Sequence, residues 1–577
     1  MKIITYTFSF LLSYTCIAQL SVRNNAYVFV DDQVIFVNDD VNINEATSKI
    51  YLRNDAQLIQ GSGTTGNNGL GVLSVQQDSD ANTYMYNYWG SPIGNPSLLH
   101  GNDSFRANLL DESTGLITST DALFTSDLNG STSPLTISDR WLYTYAIGGG
   151  GYSVWNRFGE TEELAPGLGF TMKGNPSINQ TYDFRGKPNN GEISVDVGPY
   201  DWTLVGNPYP SALDTVEFIY DIENIASITG TLYFWEQDPL SNSHNMADYK
   251  GGYATFTIDA LGLFPSFVSA TFDSYNVDGS LSVSGSASTS GKQVHRYLPI
   301  GQGFMVEGDP LSTGTVKFKN SHRAYYKESD SESAFFRANI NNEDGFPIIP
   351  DEYKRFRLFT SFDGTYTREL LMNFHPSATP GFDYGLEGKT PGGVTTDVYW
   401  LTDTDYLVIQ ALDYNEDLAI PFGFYVNSNQ SINFRLEDIQ NFDTGTPIYL
   451  HDKELNVYTN LKDGDFEINL PTGWYGDRFE IVFKQQSSLS DEDYEKDAVG
   501  IVQIDSLSEL AIFNPNGDLL SQLEIYDTKG SLVQEVSINE HSNEFRLSTS
   551  NFNTGIYVVK LTLNDAQKVS RKVIIRN

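Results

Sequence analysis

The side chains best suited to proton transfer or metal binding at neutral pH are seven histidines, His100, His244, His295, His322, His375, His451 and His541, and they are scattered along 577 residues. No H-E-x-x-H pair, G-x-S-x-G elbow or G-x-x-x-x-G-K-[ST] loop joins them, so the commonest zinc-hydrolase, serine-hydrolase and phosphate-cradling arrangements are missing. His244 stands nearest to acids (Glu236, Asp238, Asp248), where a surface-loop histidine is the simpler reading. Asp413-Tyr414-Asn415-Glu416-Asp417 offers oxygens at alternate positions for calcium, but Leu418 and Phe424 occupy the places of an EF-hand's glycine and final glutamate. Asp403-Thr404-Asp405 and Asp463-Gly464-Asp465 are similar pairs that read best as solvated turns. Carboxylates are abundant enough for a glycosidase pair, yet such a pair is defined by its separation, which sequence does not give. No catalytic, metal or cofactor-binding residue is therefore assigned. Calcium is the one ion these turns would suit.

Trp89, Trp141, Trp155, Trp202 and Trp235 fall within one stretch of the chain. Flat rings of this kind stack on sugars, so a carbohydrate-binding surface is one expectation. Their recurrence at matching places in a repeated pattern favours the other, core rings in each repeat.

The elements that would hold these residues are strands. Aromatics make up 13% of the chain, Gly is abundant, and long runs free of Gly, Pro, Asn and Asp are scarce, a balance suited to pleated strands and tight turns. Seventy-four acidic against 36 basic residues give a net charge of −38, which repels phosphate backbones and excludes nucleic acid as an expected partner. Lys2, an apolar stretch through Phe8, Phe10, Leu11 and Leu12, and Cys16-Ile17-Ala18 before Gln19 read as an export signal cleaved between Ala18 and Gln19. Cys16, the only cysteine, would leave with it, so the mature chain would hold no disulfide or thiolate.

After a signal at 1-18, residues 19-80 carry short runs such as Tyr27-Val28-Phe29-Val30 and Val34-Ile35-Phe36-Val37 separated by Asn and Asp. These suit stacked solenoid rungs slightly better than an ordinary sheet. Residues 81-337 look like a degenerate duplication. Tyr88-Trp89-Gly90-Ser91-Pro92-Ile93-Gly94-Asn95-Pro96 is echoed by Trp202-Thr203-Leu204-Val205-Gly206-Asn207-Pro208-Tyr209-Pro210, Trp141 to Tyr145 by Leu232 to Trp235, and Pro166 to Gly174 by Pro299 to Gly308. Residues 338-484 alternate as an antiparallel β-sandwich would, and 485-506 read as an acidic linker. One short helix is expected over Ser211 to Asn224, capped by Ser211 or Asp214. The expected fold is all-β and multidomain, with N-terminal β-rungs, two related β-modules, a β-sandwich and a C-terminal Ig-like β-sandwich.

That last domain, 507-577, carries Phe513-Asn514-Pro515, then Ile525-Tyr526-Asp527 with Gly530, then Gly555-Ile556-Tyr557-Val558-Val559-Lys560, and a basic-apolar ending through Lys572. The order and spacing of these pieces resemble the type A C-terminal sorting domain of the type IX secretion system of Bacteroidetes. Asn516-Gly517 departs from the second Pro-flanked residue commoner at that turn. The resemblance covers about an eighth of the chain. It implies recognition by the type IX machinery, passage across the outer membrane, removal of the tail by a sortase-like peptidase, and a body released or attached to surface lipopolysaccharide. Gly530 and Gly555 are expected at turns that a Cβ would strain. The body also looks like a broad group of surface proteins with no transferable activity, so an adhesive or structural role is expected, with a polysaccharide-binding protein or a glycan hydrolase as the alternative.

Overall fold

The computed structural model describes residues 19–575 apart from 62–65, 146–154, 178, 278–285, 288–291, 312, 330–347, 365, 392–395, 403–404, 486–498, 505–506, 516, 528 and 564–567. The signal with Ala18, residues 486–498 and 505–506 of the acidic linker, and Asp403-Thr404 lie outside the described residues. Two compact units result, one reaching Phe483 except for His451–Tyr458, the other comprising that short piece and Lys484–Asn577.

Short strands punctuated by Asn and Asp do form rungs. β1 (Leu20–Val22), β2 (Tyr27–Asp31) and β3 (Val34–Val37) make one turn of a parallel solenoid. β4 (Val41–Ile43), β5 (Lys49–Arg53) and β6 (Gln57–Gln60) make the next, with Leu20 beside Val41, Tyr27 beside Lys49 and Val34 beside Gln57. Asn24, Asn25, Asp32 and Asn54 supply the left-handed corners at φ 53–60°, the conformation that Asn and Asp tolerate best. β7 (Val72–Ser79) lies parallel on β5 and then pairs along its far edge with Gln180–Pro188.

β8 (Tyr86–Trp89) begins a sheet in the order Tyr86–Trp89, Phe170–Lys173, Tyr143–Tyr145, Trp155–Arg157. A second sheet repeats that order with Trp202–Gly206, Gly303–Gly308, Ile228–Gln237, Lys250–Thr257. The two interlock reciprocally. Phe170 pairs with Trp89 and Phe304 with Val205 within each sheet, while Trp89 bridges Gln302 and Leu168 bridges Val205 between them. Gly90 N–H donates to Gly301 O at 2.7 Å and Gly206 N–H to Gly167 O at 3.1 Å. At this junction the backbones touch: a Cβ on Gly206 would stand 2.4 Å from Gly90 Cα, closer than any real contact. Two helices, α1 (Thr215–Ile219) and α2 (Ile222–Ile225), replace the single one expected, capped by Asp214 and Asp221 accepting from Val216 and Glu223 N–H.

Beyond residue 348 one continuous sheet folds over a single core rather than forming two separate antiparallel sheets. Phe422 and Phe424 of strand Ala419–Val426 meet Phe434 at 5.4 and 5.5 Å, although four strands separate them along the sheet. Tyr366–Phe374 runs parallel to Tyr406–Leu412, a departure from the antiparallel expectation. Apolar residues from most of its strands, including Phe356, Met372, Trp400, Ile409 and Ile481, fill the interior.

In the second unit a three-stranded sheet, Gly500–Ile504, Glu509–Phe513 and Glu544–Ser548, accompanies a four-stranded sheet in the order Leu532–His541, Leu519–Asp527, Gly555–Thr562, Lys568–Ile575. Leu510, Ile512, Leu523, Ile525, Val559 and Leu561 share their core. The strand Gly500–Ile504 replaces the end of the expected linker, because Ile501 is buried once Gly500–Ile504 pairs with Glu509–Phe513.

Candidate functional site

Strand pairing sets Lys173 opposite Tyr86, and the turn that carries His244 brings a second sheet's loop over both. The Lys173 amine lies 4.0 Å from the ring centre of Trp141, 4.6 Å from that of Tyr249 and 4.8 Å from that of Tyr86. It bonds the Tyr249 hydroxyl and stands 3.1 Å from His244 Nδ1. Burial pushes this amine down to about 7. His244 stacks on Trp141 at 5.0 Å, with its Nε2 2.5 Å from Asn129 Oδ1. Burial, then the neighbouring Lys173, lowers His244 to about 4, so the ring is neutral, with Nδ1 accepting from Lys173 and Nε2–H donating to Asn129. Glu236, Asp238 and Asp248 are not its partners here. The arrangement is a closed aromatic box around an amine that would be a good nucleophile if it were accessible.

From this box a seam of rings continues across the junction. Tyr88 stacks on Trp235 at 6.1 Å and shares a 2.8 Å hydroxyl contact with Tyr253, Trp202 stacks on Tyr233 at 4.4 Å, and Trp155 packs edge-on to Tyr145 at 4.8 Å. Trp89 is fully buried, while Trp141, Trp155, Trp202 and Trp235 are half-buried with their faces against other rings. Each of these tryptophans therefore packs against tyrosine, phenylalanine or histidine rings. Other rings are exposed: Tyr406 and Trp474 meet at 5.9 Å on the folded sheet, with Tyr425 directly across from Trp474.

A second buried polar cluster was not anticipated. Arg355 and Arg357, on what reads as the wet face of an alternating strand, are buried and reach the segment 265–267. Arg355 donates to Asn373 Oδ1 at 2.8 Å and Pro265 O at 2.9 Å, and Arg357 to Phe267 O at 2.7 Å and Asp438 at 2.9 Å, with Glu369 also in contact. Burial, with Arg357 adjacent, lowers Arg355 to about 9. The only hint in the sequence is an Arg-x-Arg alternation, which solvent explains equally well. The candidate calcium turns are closed on themselves: Asn415 Oδ1 accepts from Asp417 N–H at 2.9 Å, and Asp463 accepts from Asn460 at 2.7 Å. Among the described residues no group of three or more His, Cys, Asp or Glu converges as metal ligands would.

The tail's motif residues shape turns and one face of a sheet. Asn514 is buried, donating to Asp518 O and Ser542 O at 2.8 Å each and accepting from Asp518 N–H at 3.2 Å, while Pro515 beside it is exposed. Asp527 takes the N–H groups of Lys529 and Ser531 at 2.9 and 2.8 Å, closing a turn in which Gly530 adopts φ +82°. The Tyr526 hydroxyl donates to Glu524 at 2.8 Å. Tyr557 is buried against Phe552 and donates to Asn553 O at 2.9 Å; Lys560 sits between Glu524 and Ser570, and Lys572 is exposed opposite Val558. Gly555 differs from expectation. A Cβ there would meet nothing closer than 3.7 Å, and its φ is not left-handed, so no turn demands it. Gln19, at the expected cleavage point, is exposed.

An all-β body ending in a seven-stranded domain of this pattern defines a class, the exported proteins with a type IX sorting tail. Residues 500–576 match the secretion system C-terminal sorting domain. The tail implies handling by the type IX secretion machinery and a secreted or cell-surface destination. Residues 124–483 match a family described as a domain of unknown function, DUF8693, and the chain belongs to that family. No curated protein matches the chain. Among solved structures it is similar to a DUF3244 protein with an immunoglobulin-like β-sandwich from Bacteroides vulgatus (21% identity, 14% of this chain and 83% of that one, TM-score 0.13). Others are the BSP domain of a biofilm-associated protein (10% identity, 67% of each chain, TM-score 0.14) and dimeric latent PorU from Porphyromonas gingivalis (10%, 73% of this chain and 36% of that one, TM-score 0.13). Likenesses at such TM-scores carry no weight here. No described helix is long and apolar enough to cross a membrane.

Proposed function

We propose that the body, two related β-modules between a rung solenoid and a folded sheet, is a non-enzymatic adhesive or structural component of the cell surface, delivered by its tail. What supports this reading above all is the use of the body's chemistry: its lowered amine is held by Trp141 and His244, and its buried arginines by carbonyls and acids of the fold. The signal is cut between Ala18 and Gln19, and Asn514, Pro515, Tyr526, Gly530, Gly555, Tyr557, Lys560 and Lys572 lie in the part that the machinery and its sortase-like peptidase read. Removing residues 500–577 should leave the protein in the periplasm, and N-terminal sequencing of the surface form should begin at Gln19. Surface display without the tail would overturn the route, and loss of the body without any change in attachment or surface integrity would overturn the role.

A second reading, glycan binding, is favoured by the exposed corner of Tyr406, Trp474 and Tyr425, where two rings meet at 63° as a floor and wall for a sugar. A polysaccharide array with wild type and Trp474→Ala tests it. Binding lost in the variant would favour this reading, and no binding by wild type would remove it.

A further inference from the structure

The solenoid has one uncovered end among the described residues. Among the described residues β1 pairs only with β4, β2 only with β5 and β3 only with β6, so the outer edges of three consecutive strands lack a strand partner. Solenoids ordinarily end in polar capping repeats, and exposed edges are blunted by Lys, Pro or bulges. β1 to β3 hold neither Lys nor Pro, and they leave Tyr27 58% and Phe36 63% exposed, with Phe29 and Val34 exposed beside them. The interior is open as well. Val28, Val30 and Ile35 are only half-buried, whereas the residues stacked on them in the next rung, Ile50, Leu52 and Leu58, are wholly buried.

Two observations select the occupant. The only charges in residues 20–38 are Arg23, Asp31 and Asp32, and Lys327 pairs with Asp32 at 2.8 Å, so this end is nearly neutral on a chain of net charge −38. Charge depletion with aromatic enrichment is the composition of an interface core, and at this end the net-acidic character of the chain does not resist a second acidic molecule. The far end of the stack is filled, because β7 pairs with Gln180–Pro188. Head-to-tail stacking into a filament is therefore blocked, and only a closed, head-to-head pairing remains for copies of this chain.

We propose that the first rung is a self-association surface, on which a second copy docks about a two-fold axis that sets the two β2 strands antiparallel and covers Val28, Val30 and Ile35 in both. Light scattering on the purified full chain should give twice the monomer mass, with association strengthened by salt as the acidic bodies are screened. Tyr27→Lys with Phe36→Lys alters only side chains exposed in the single copy, and should weaken association on the order of 100-fold by placing like charges across the axis. Leu311→Lys, another exposed apolar position, should change nothing. Amide exchange over residues 20–37 should be slow in wild type and fast in the double variant, with the rest unaltered. A monomeric wild type, an association indifferent to the double variant, or slow exchange over 20–37 in a monomer would each overturn the proposal.

Discussion

Replacing Lys173 by Met keeps the length of the side chain inside the aromatic box and removes its charge. The native amine titrates near 7, whereas in the unfolded chain it titrates near 10.4. Between those values the unfolded state holds a proton that the native state has lost, so wild-type stability rises with pH from about 7 to 10.4, and below 7 the native state bears the full cost of a buried ammonium. At about 1.4 kcal/mol per unit that net cost is about 5 kcal/mol, offset in part by the bonds the amine makes to Tyr249 and His244. Lys173→Met should therefore be more stable than wild type by about 2–5 kcal/mol at pH 6, an advantage that shrinks steadily towards pH 10, where only the lost bonds to Tyr249 and His244 remain. Denaturant unfolding of both proteins across this range, read as their difference, cancels the titration of groups that Lys173 does not shift, His244 being the neighbour that it does. A difference independent of pH, or a variant destabilised at pH 6, would show that the rings hold the ammonium charged and would refute the reasoning.

Gly206→Ala should prevent native folding of the junction, since its Cβ would meet Gly90 backbone at 2.4 Å, while Gly555→Ala should alter stability by less than about 0.5 kcal/mol; thermal melts of the two variants provide the comparison. Asn514→Ala strands two carbonyls and an N–H at a buried turn, and should cost about 2–3 kcal/mol, seen as faster proteolysis within residues 500–575. Arg355→Ala removes the bonds to Asn373 and Pro265 O, and should cost about 3 kcal/mol and speed amide exchange in Ser266–Val268 more than elsewhere.

What the sequence discloses follows from how local the cause is. The rungs are legible because each corner carries its own Asn or Asp, and the left-handed φ of Asn24, Asn25, Asp32 and Asn54 needs only the residue itself. The Gly530 turn is legible for the same reason, with Asp527 closing it three residues earlier. Gly555 misleads because glycine before an apolar run is read as a turn, although the strand already begins there.

The Lys173 box lies at the other extreme. Tyr86, Trp141, Lys173 and the pair His244 and Tyr249 come from four separate stretches, and no pattern within any one of them marks a buried amine. Arg355 and Arg357 fail differently: their strand alternates as 338-484 is expected to, but the arginine face is covered by the segment 265–267, more than 85 residues earlier. The same principle runs in reverse at the first rung. There Val28, Val30 and Ile35 point inward as their alternation predicts, yet the described chain brings nothing to cover them as Ile50, Leu52 and Leu58 are covered. A face that sequence marks as buried and the described fold leaves half-open is the converse of the arginine face, and a second copy is the layer proposed for it.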